Sequence, residues 1–204
     1  VPGSSPLEGT PTWPFLEPTV NAEQRYETTK FTVKNVALFQ TGTVDHQLRS
    51  GVEVSRRVRA DNEAGSAPGG EDNRLALFMI DEMRMGGFTV TPALRYEKSK
   101  VESAGSHGSY ENDALMGGLA VAYDFGNGLS VFGSAAYTEG LPIIDDLGGS
   151  AASKWRMTTS EKSHTFELGA SYAGTDLFTP GDNFSIRGNI YRTELWDITS
   201  YTAS

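Results

Sequence analysis

The side chains with chemistry to offer are few. The chain carries three histidines, His46, His107 and His164, and no cysteine. His107 stands in the run Ser103-Ala-Gly-Ser-His-Gly-Ser-Tyr, close to Tyr110. Imidazole and phenol can both ligate a metal, which makes this loop the one place to look for ligand capture. The plain alternative is a pair of solvated loop residues. His164 leads into a strand pattern, and His46 opens another, where a polar interface residue is the simplest role. Arg56, Arg57 and Arg59 cluster near the end of a strand pattern. If Val54 and Val58 face lipid, Arg57 and Arg59 face inward, where guanidinium groups can meet an anionic chelate. Arg56 would then lie on the opposite face. Snorkelling and wall salt bridges are the alternative use of these arginines. Asp61, Glu63, Glu71 and Asp72 fit no EF-hand spacing, and Asp145-Asp146 is equally uninformative. There is no phosphate loop, nucleophile elbow or metal-ligand triad. Asp113 beside His107 or His164 could make a base, but no spacing requires it. Neither an enzyme nor a bound cofactor is expected.

The elements that must position these residues are strands. Two alternating runs flank Asn127-Gly128, a dipeptide favoured in hairpins. Leu115, Gly117, Leu119, Val121 and Tyr123 share one face of the first, and Leu129, Val131, Gly133, Ala135 and Tyr137 one face of the second. The opposite faces are small or polar. One greasy face, one small polar face and tyrosines at the rim suit a membrane barrel wall, although a soluble sandwich shows the same alternation. Composition narrows the classes. With 204 residues, 38% hydrophobic and 21% charged, the chain is not of disordered composition. No apolar run is long enough for a membrane helix, whereas barrel strands escape hydropathy averages such as the mean of −0.36. The net charge of −9 argues against nucleic acid. The first residues have neither a basic start nor an apolar core, so no signal peptide is read there.

Eight strand patterns follow in order: 24–40, 46–60, 74–85, 88–100, 114–125, 129–138, 160–174 and 183–199. Pro2, Pro6, Pro11, Pro14 and Pro18 mark 1–23 as an irregular extracellular loop, ahead of barrel strands over 24–204. Connections after the first, third, fifth and seventh strands are compact, and those after the second, fourth and sixth are long. That asymmetry matches an outer-membrane barrel with long loops outside and short turns in the periplasm. Tyr96, Tyr123, Tyr137, Tyr172 and Trp196 fall near strand ends, as interfacial girdles require. No helix is expected. The fold class is all-β: an antiparallel transmembrane β-barrel segment of about eight strands, part of a larger barrel.

Several stretches resemble the barrel of TonB-dependent outer-membrane receptors. They are His46-Gln-Leu-Arg-Ser-Gly-Val-Glu-Val, Leu77-Phe-Met-Ile-Asp-Glu-Met and Phe88-Thr-Val-Thr-Pro-Ala-Leu-Arg-Tyr-Glu, then Ser160-Glu-Lys-Ser-His-Thr-Phe-Glu-Leu-Gly and Gly181-Asp-Asn-Phe-Ser-Ile-Arg-Gly-Asn-Ile-Tyr-Arg-Thr. The 161–198 run is most similar to the haem and haemophore branch. The resemblance implies a bacterial outer-membrane location and energy-coupled uptake of an iron-bearing ligand, haem or siderophore. The candidate ligand residues would be His107, Tyr110, Arg57 and Arg59. It also implies TonB as a partner, through a plug domain with no counterpart in this chain, and contact with outer-membrane lipid and lipopolysaccharide. Two other readings remain: a self-contained small barrel with a structural or adhesive role, and a soluble β-sandwich binding module. The Asn-Pro-Asn-Leu and Phe-Arg-Ala-Pro motifs of haem receptors are absent, and the chain ends Ser-Tyr-Thr-Ala-Ser without a terminal aromatic strand.

Overall fold

A computed structural model describes residues 25–60 and 68–199. Of the segments expected as loops, 1–23 and the first part of 61–73, residues 61–67 with Asp61 and Glu63, lie outside the described residues. The described chain forms one antiparallel meander: β1 (Tyr26–Thr41), β2 (Val44–Arg59), β3 (Gly70–Met85), β4 (Phe88–Ser103), β5 (Ser109–Asp124), β6 (Leu129–Gly140), β7 (Glu161–Thr175) and β8 (Asn183–Trp196). Each strand pairs with its sequence neighbours, and β1 and β8 lie at the two edges. The sheet is an open barrel wall.

Period-two alternation divides the wall into two faces. The outer face carries Phe31 opposite Val54, Val52 opposite Leu77, Leu77 opposite Tyr96, and Leu168 opposite Ile190. These side chains are exposed, Phe31 by 67% and Leu168 by 62%. So much exposed apolar surface is what a lipid-facing wall presents and a water-facing one avoids. Aromatic clusters border the band. At the end with tight turns, Tyr123 lies 4.5 Å from Phe88 and 4.8 Å from Phe125 between ring centroids. At the other end His164 sits 5.2 Å from Tyr137 and 4.7 Å from Trp196.

β1 to β5 have 16 residues each, and the connection after β4, expected to be long, shrinks to residues 104–108 because the flanking strands extend into it. Roughly 9–11 tilted residues cross a bilayer. The excess projects from the end opposite the tight turns. There β3 begins earlier, β4 ends later and β5 begins earlier than the apolar alternation predicts. The ladder continues through polar pairs such as Asn73 with Lys100 and Lys98 with Asp113. Apolar periodicity marks only the lipid band, so the hydrated extension is invisible to it. Glu71 and Asp72, read as loop acids, belong to β3 for the same reason.

The turns differ in mechanism. Gly42 and Gly86 open two-residue hairpin loops with φ of 64° and 57°, the left-handed region where a Cβ is penalised. Asn127-Gly128 is not a two-residue turn. Residues 125–128 form the loop, in which Asp124 Oδ1 accepts from Gly126 N at 2.8 Å and Asn127 Oδ1 from Leu129 N at 3.1 Å. Between β7 and β8, the Asp182 carboxylate accepts from the amides of Leu177, Phe178 and Thr179 at 2.8, 2.9 and 3.0 Å. The expectation of no helix also fails. A 3-10 helix (Ile144–Asp146) and a seven-residue helix, α1 (Ala151–Met157), occupy the β6–β7 connection. Ser150 caps α1, its Oγ accepting from Ser153 N at 3.1 Å. Two turns are too short to display a helical period.

Two outcomes follow from this frame. Leu119→Arg on the outer face should cost about 2–4 kcal/mol of unfolding free energy in lipid vesicles, and Ala120→Arg on the inner face distinctly less. Equal losses at both positions would contradict the assignment of faces. The amides facing Asp182, those of Phe178 and Thr179 first, hold its pKa below the usual 3.8. A depressed carboxylate stabilises the turn above its unfolded pKa, and that contribution disappears as pH falls through the folded value. Carbon-13 titration of Asp182 should therefore give a midpoint below 3.8, and a midpoint at or above it would show that the amide cage does not form.

Candidate functional site: the inner face and its roof

The β6–β7 connection folds back over the inner face. Ile144 and Leu147 from the 3-10 turn and Met157 from α1 bury themselves against Val101, with Tyr110 packed alongside. Val101 and Tyr110 are cross-strand partners of β4 and β5, so this cluster fixes the segment to the wall. Polar contacts complete the attachment. Arg59, 2% exposed, reaches Asp145 Oδ1 with Nη1 at 2.7 Å and donates to the Pro68 carbonyl through Nε at 2.8 Å. Tyr26 also donates to Asp145 Oδ1, at 2.6 Å. Arg74 Nη2 donates to the Pro142 carbonyl at 2.9 Å, and Asn112 Nδ2 to the Met157 carbonyl at 3.0 Å. The segment is a roof over β2–β5 at the long-loop end.

Beneath it runs a continuous chain of alternating charge. Lys30 Nζ lies 2.8 Å from Glu53, whose other oxygen is 3.3 Å from Arg95 Nη2. Arg95 meets Glu97 at 2.7 Å, and Glu97 accepts from Arg74 at 3.0 Å. Arg74 then reaches both oxygens of Asp72 at 3.0 Å, and Ser99 Oγ donates to Asp72 at 3.3 Å. Asp72 and Ser99 are buried. Charges removed from water in this way are tolerable only because each has a partner. The chain crosses β1 to β4 and braces the wall below the roof.

The residues singled out from sequence occupy distinct places. Arg57 and Arg59 face inward, and Arg56 points outward with Val54 and Val58, paired with Glu71. Arg57 is exposed, while the Arg59 guanidinium is committed to the roof. Tyr110 donates to the His107 carbonyl at 3.1 Å, so its hydroxyl already has a partner. His107 lies against the roof, where a Cβ on Gly149 would stand 3.2 Å from its Nδ1. His46 stacks on Phe39 at 4.5 Å and contacts Asp81 Oδ2 through Nδ1 at 2.7 Å, on the outer face near the tight turns. The three histidines are not brought together, and no group of three or more His, Asp and Glu side chains among the described residues could hold a metal ion.

The family model for "TonB dependent receptor-like, beta-barrel" matches residues 5–204. The chain belongs to the TonB-dependent receptor β-barrel family. Among solved structures it is similar to the haemophore receptor HasR of Serratia marcescens, solved with its haemophore HasA and haem. That match has 18% identity and a TM-score of 0.70, over 84% of this chain and 33% of that one. It is also similar to the ferric-catecholate import receptor Fiu of E. coli K12, with 15% identity and a TM-score of 0.67, over 85% of this chain and 32% of that one. The ferric citrate transporter FecA gives 17% identity and a TM-score of 0.59, over 83% of this chain and 32% of that one. A search of curated proteins returns no match. The chain thus spans about a third of the length of these solved receptors. At these identities the likeness shows the shared barrel fold. The family is one of receptors, which accords with the expectation that the chain is no enzyme.

Within this receptor wall, the residues missed from sequence are those of the charge chain. Glu53, Asp72, Arg74, Arg95 and Glu97 are spread over β2, β3 and β4, and only the register brings the three strands' charges together. The inward alternation of polar residues was the available clue. Asp145→Ala should leave Arg59 buried without its carboxylate and loosen the roof by about 1–3 kcal/mol. The value lies below that of a fully buried pair because the Asp145 side chain is 42% exposed. Faster tryptic cleavage after Lys154 and Arg156 is the expected readout, and an unchanged cleavage rate would show that the pair does not hold the roof.

Proposed function

We propose that this wall serves in an outer-membrane receptor for TonB-coupled uptake of an iron-bearing ligand, haem or a siderophore. The observation that carries the reading is the pairing of a greasy, girdled outer face with a braced polar inner face and roof, in a chain matched by the receptor-barrel family. A structural barrel has no need of a roofed, charge-lined interior, and a water-facing sandwich would not expose Phe31, Leu168 and Ile190 together. The likeness to the haemophore receptor HasR, solved with haem, to the ferric-catecholate import receptor Fiu and to the ferric citrate transporter FecA supports iron-bearing cargo.

In this reading Arg57 and His107 meet the ligand at the mouth, Arg57 through an exposed inward guanidinium and His107 from the edge of the roof. Tyr110 and Arg59 hold the frame around them. TonB would act through a plug domain not contained in this chain. The outer band contacts membrane lipid, and Arg56 with Lys98 and Lys100 lies level with lipopolysaccharide headgroups.

Growth under iron chelation tests the proposal. A strain whose growth on haem or a ferric siderophore depends on the intact protein and on TonB is the expected result, and growth independent of both would sink it. Within that assay His107→Ala should abolish growth on haem alone while siderophore use persists. Unchanged growth on haem would remove His107 from ligand capture.

A further inference from the structure

The β5–β6 loop carries chemistry that neither the wall nor the uptake reading uses. Asn127 is the one asparagine of the chain that a glycine follows. It is exposed, and its carboxamide oxygen Oδ1 accepts from Leu129 N at 3.1 Å. That hydrogen bond closes an Asx turn and folds the carboxamide back over the intervening Gly128 amide. The Gly128 N–H has no acceptor among the described residues, whereas the Gly128 carbonyl accepts from Ala173 N at 2.9 Å. The fold itself demands the glycine. Its φ is 88°, and a Cβ there would collide with the Ala173 carbonyl oxygen of β7. A larger residue, which would shield the amide nitrogen, is therefore excluded at 128. The other described asparagines are placed differently. Asn35, Asn73, Asn112 and Asn189 stand inside strands and Asn183 opens β8, and each precedes a residue with a side chain.

We propose that Asn127-Gly128 is a self-modification site, at which the folded turn converts asparagine to isoaspartate and aspartate with water as the co-reactant. Hydroxide takes the proton of the Gly128 N–H, and the nitrogen's electron pair forms a bond to Asn127 Cγ. Negative charge develops on Oδ1, where the Leu129 N–H already points. The donor that builds the turn thus also stabilises the tetrahedral intermediate. Nucleophile and carbonyl carbon are held by one short turn, which removes part of the entropic cost of ring closure. Collapse breaks the Cγ–Nδ2 bond. The nitrogen takes a proton from water, leaves as ammonia and returns the hydroxide, and a five-membered succinimide remains. Water then opens that ring. Cleavage between Gly128 N and Cγ gives aspartate, and cleavage between Gly128 N and the Asn127 backbone carbonyl carbon gives isoaspartate, whose main chain runs through Cγ and is longer by one methylene. In sum, an amide NH is exchanged for an oxygen of water. Either product adds a carboxylate to the loop that Asp124 already caps through Gly126 N. Isoaspartate also displaces Leu129 from Phe125, whose amide bonds the Leu129 carbonyl at 3.0 Å, and so slackens the closure of the hairpin. The inference is independent of the uptake reading.

The full protein folded in lipid vesicles, held in mildly alkaline buffer and sampled over time, provides the test. Trypsin releases residues 101–154 as one peptide that contains both Asn112 and Asn127. Asn112 is the internal control, since it lies in β5 with its Nδ2 bonded to the Met157 carbonyl. Fragmentation of that peptide should show the mass change of NH exchanged for O at 127 and none at 112. Isoaspartate should be the major product, detected as a substrate for an isoaspartyl methyltransferase, and the rate should rise with hydroxide concentration. Asn127→Gln would need a six-membered ring and should remove the signal. The same protein unfolded in urea is the reference for the role of the turn, and the folded form should convert several-fold faster. Two results overturn the proposal. Conversion in the folded wall no faster than in the unfolded chain would show that the turn gives no assistance. Conversion that persists in the Asn127→Gln variant would place the chemistry elsewhere. Iron-limited growth of the parent is read separately, so failure here leaves the uptake reading untouched.

Discussion

A peptide group in hydrocarbon has no water to bond with, so every N–H and C=O of a membrane wall must find its partner in an adjacent strand. That constraint explains the meander, in which seven consecutive pairings run almost without interruption. The one proline in the middle of the sheet, Pro92, shows what the rule costs. It has no N–H to give, and the β3–β4 ladder skips between Ile80 with Ala93 and Met83 with Val90. The free sides of β1 and β8 carry the same demand. In a bilayer those edges require strands beyond this sheet, which agrees with a chain that spans a third of its solved relatives.

Once the backbone is satisfied, the two faces are free to meet different solvents, and the inner one becomes a place to keep charge. The run from Lys30 through Glu53, Arg95, Glu97 and Arg74 to Asp72 contains three cations and three carboxylates. Between Lys30, at the exposed end, and Asp72, capped by the Ser99 hydroxyl, each charge is held between two of opposite sign, so the desolvation caused by the roof is offset locally. The roof depends on this brace in return. Arg74 belongs to both, bonding Glu97 and Asp72 below and the Pro142 carbonyl above. Any movement of the roof must therefore exchange a hydrogen bond of a residue that is also structural. A roof fixed in this way fits a constant feature of the mouth better than a loosely hinged loop.

How much of this was legible in the sequence differs by element. The hairpins were, because Leu119 and Val131 face one solvent while Ala120 and Ser134 face another, and period-two alternation needs no tertiary knowledge. The inward placement of Arg57 and Arg59 followed from the same parity. The hydrated ends of β3, β4 and β5 were not legible, since Glu71, Lys100 and Asn112 alternate polar with polar. The roof was hidden for another reason: its seven-residue helix owes its place to burial of Met157 against Val101, a contact 56 residues away in sequence. The partner of Arg59 was hidden in the same way. Its type suggested a ligand contact, whereas the Asp145 carboxylate that occupies it arrives from a distant connection.

Side-chain size organises the lumen as much as charge does. On the inner face two aromatic rings lie over glycines of neighbouring strands, Phe78 over Gly51 and Phe132 over Gly169. The second is also capped by Arg187, whose guanidinium carbon is 4.0 Å from the ring centroid. Each ring laid flat keeps the interior open where an upright side chain would narrow it. The two pairs nevertheless present different surfaces, because Phe132 is covered by a cation and Phe78 has none over its ring among the described residues.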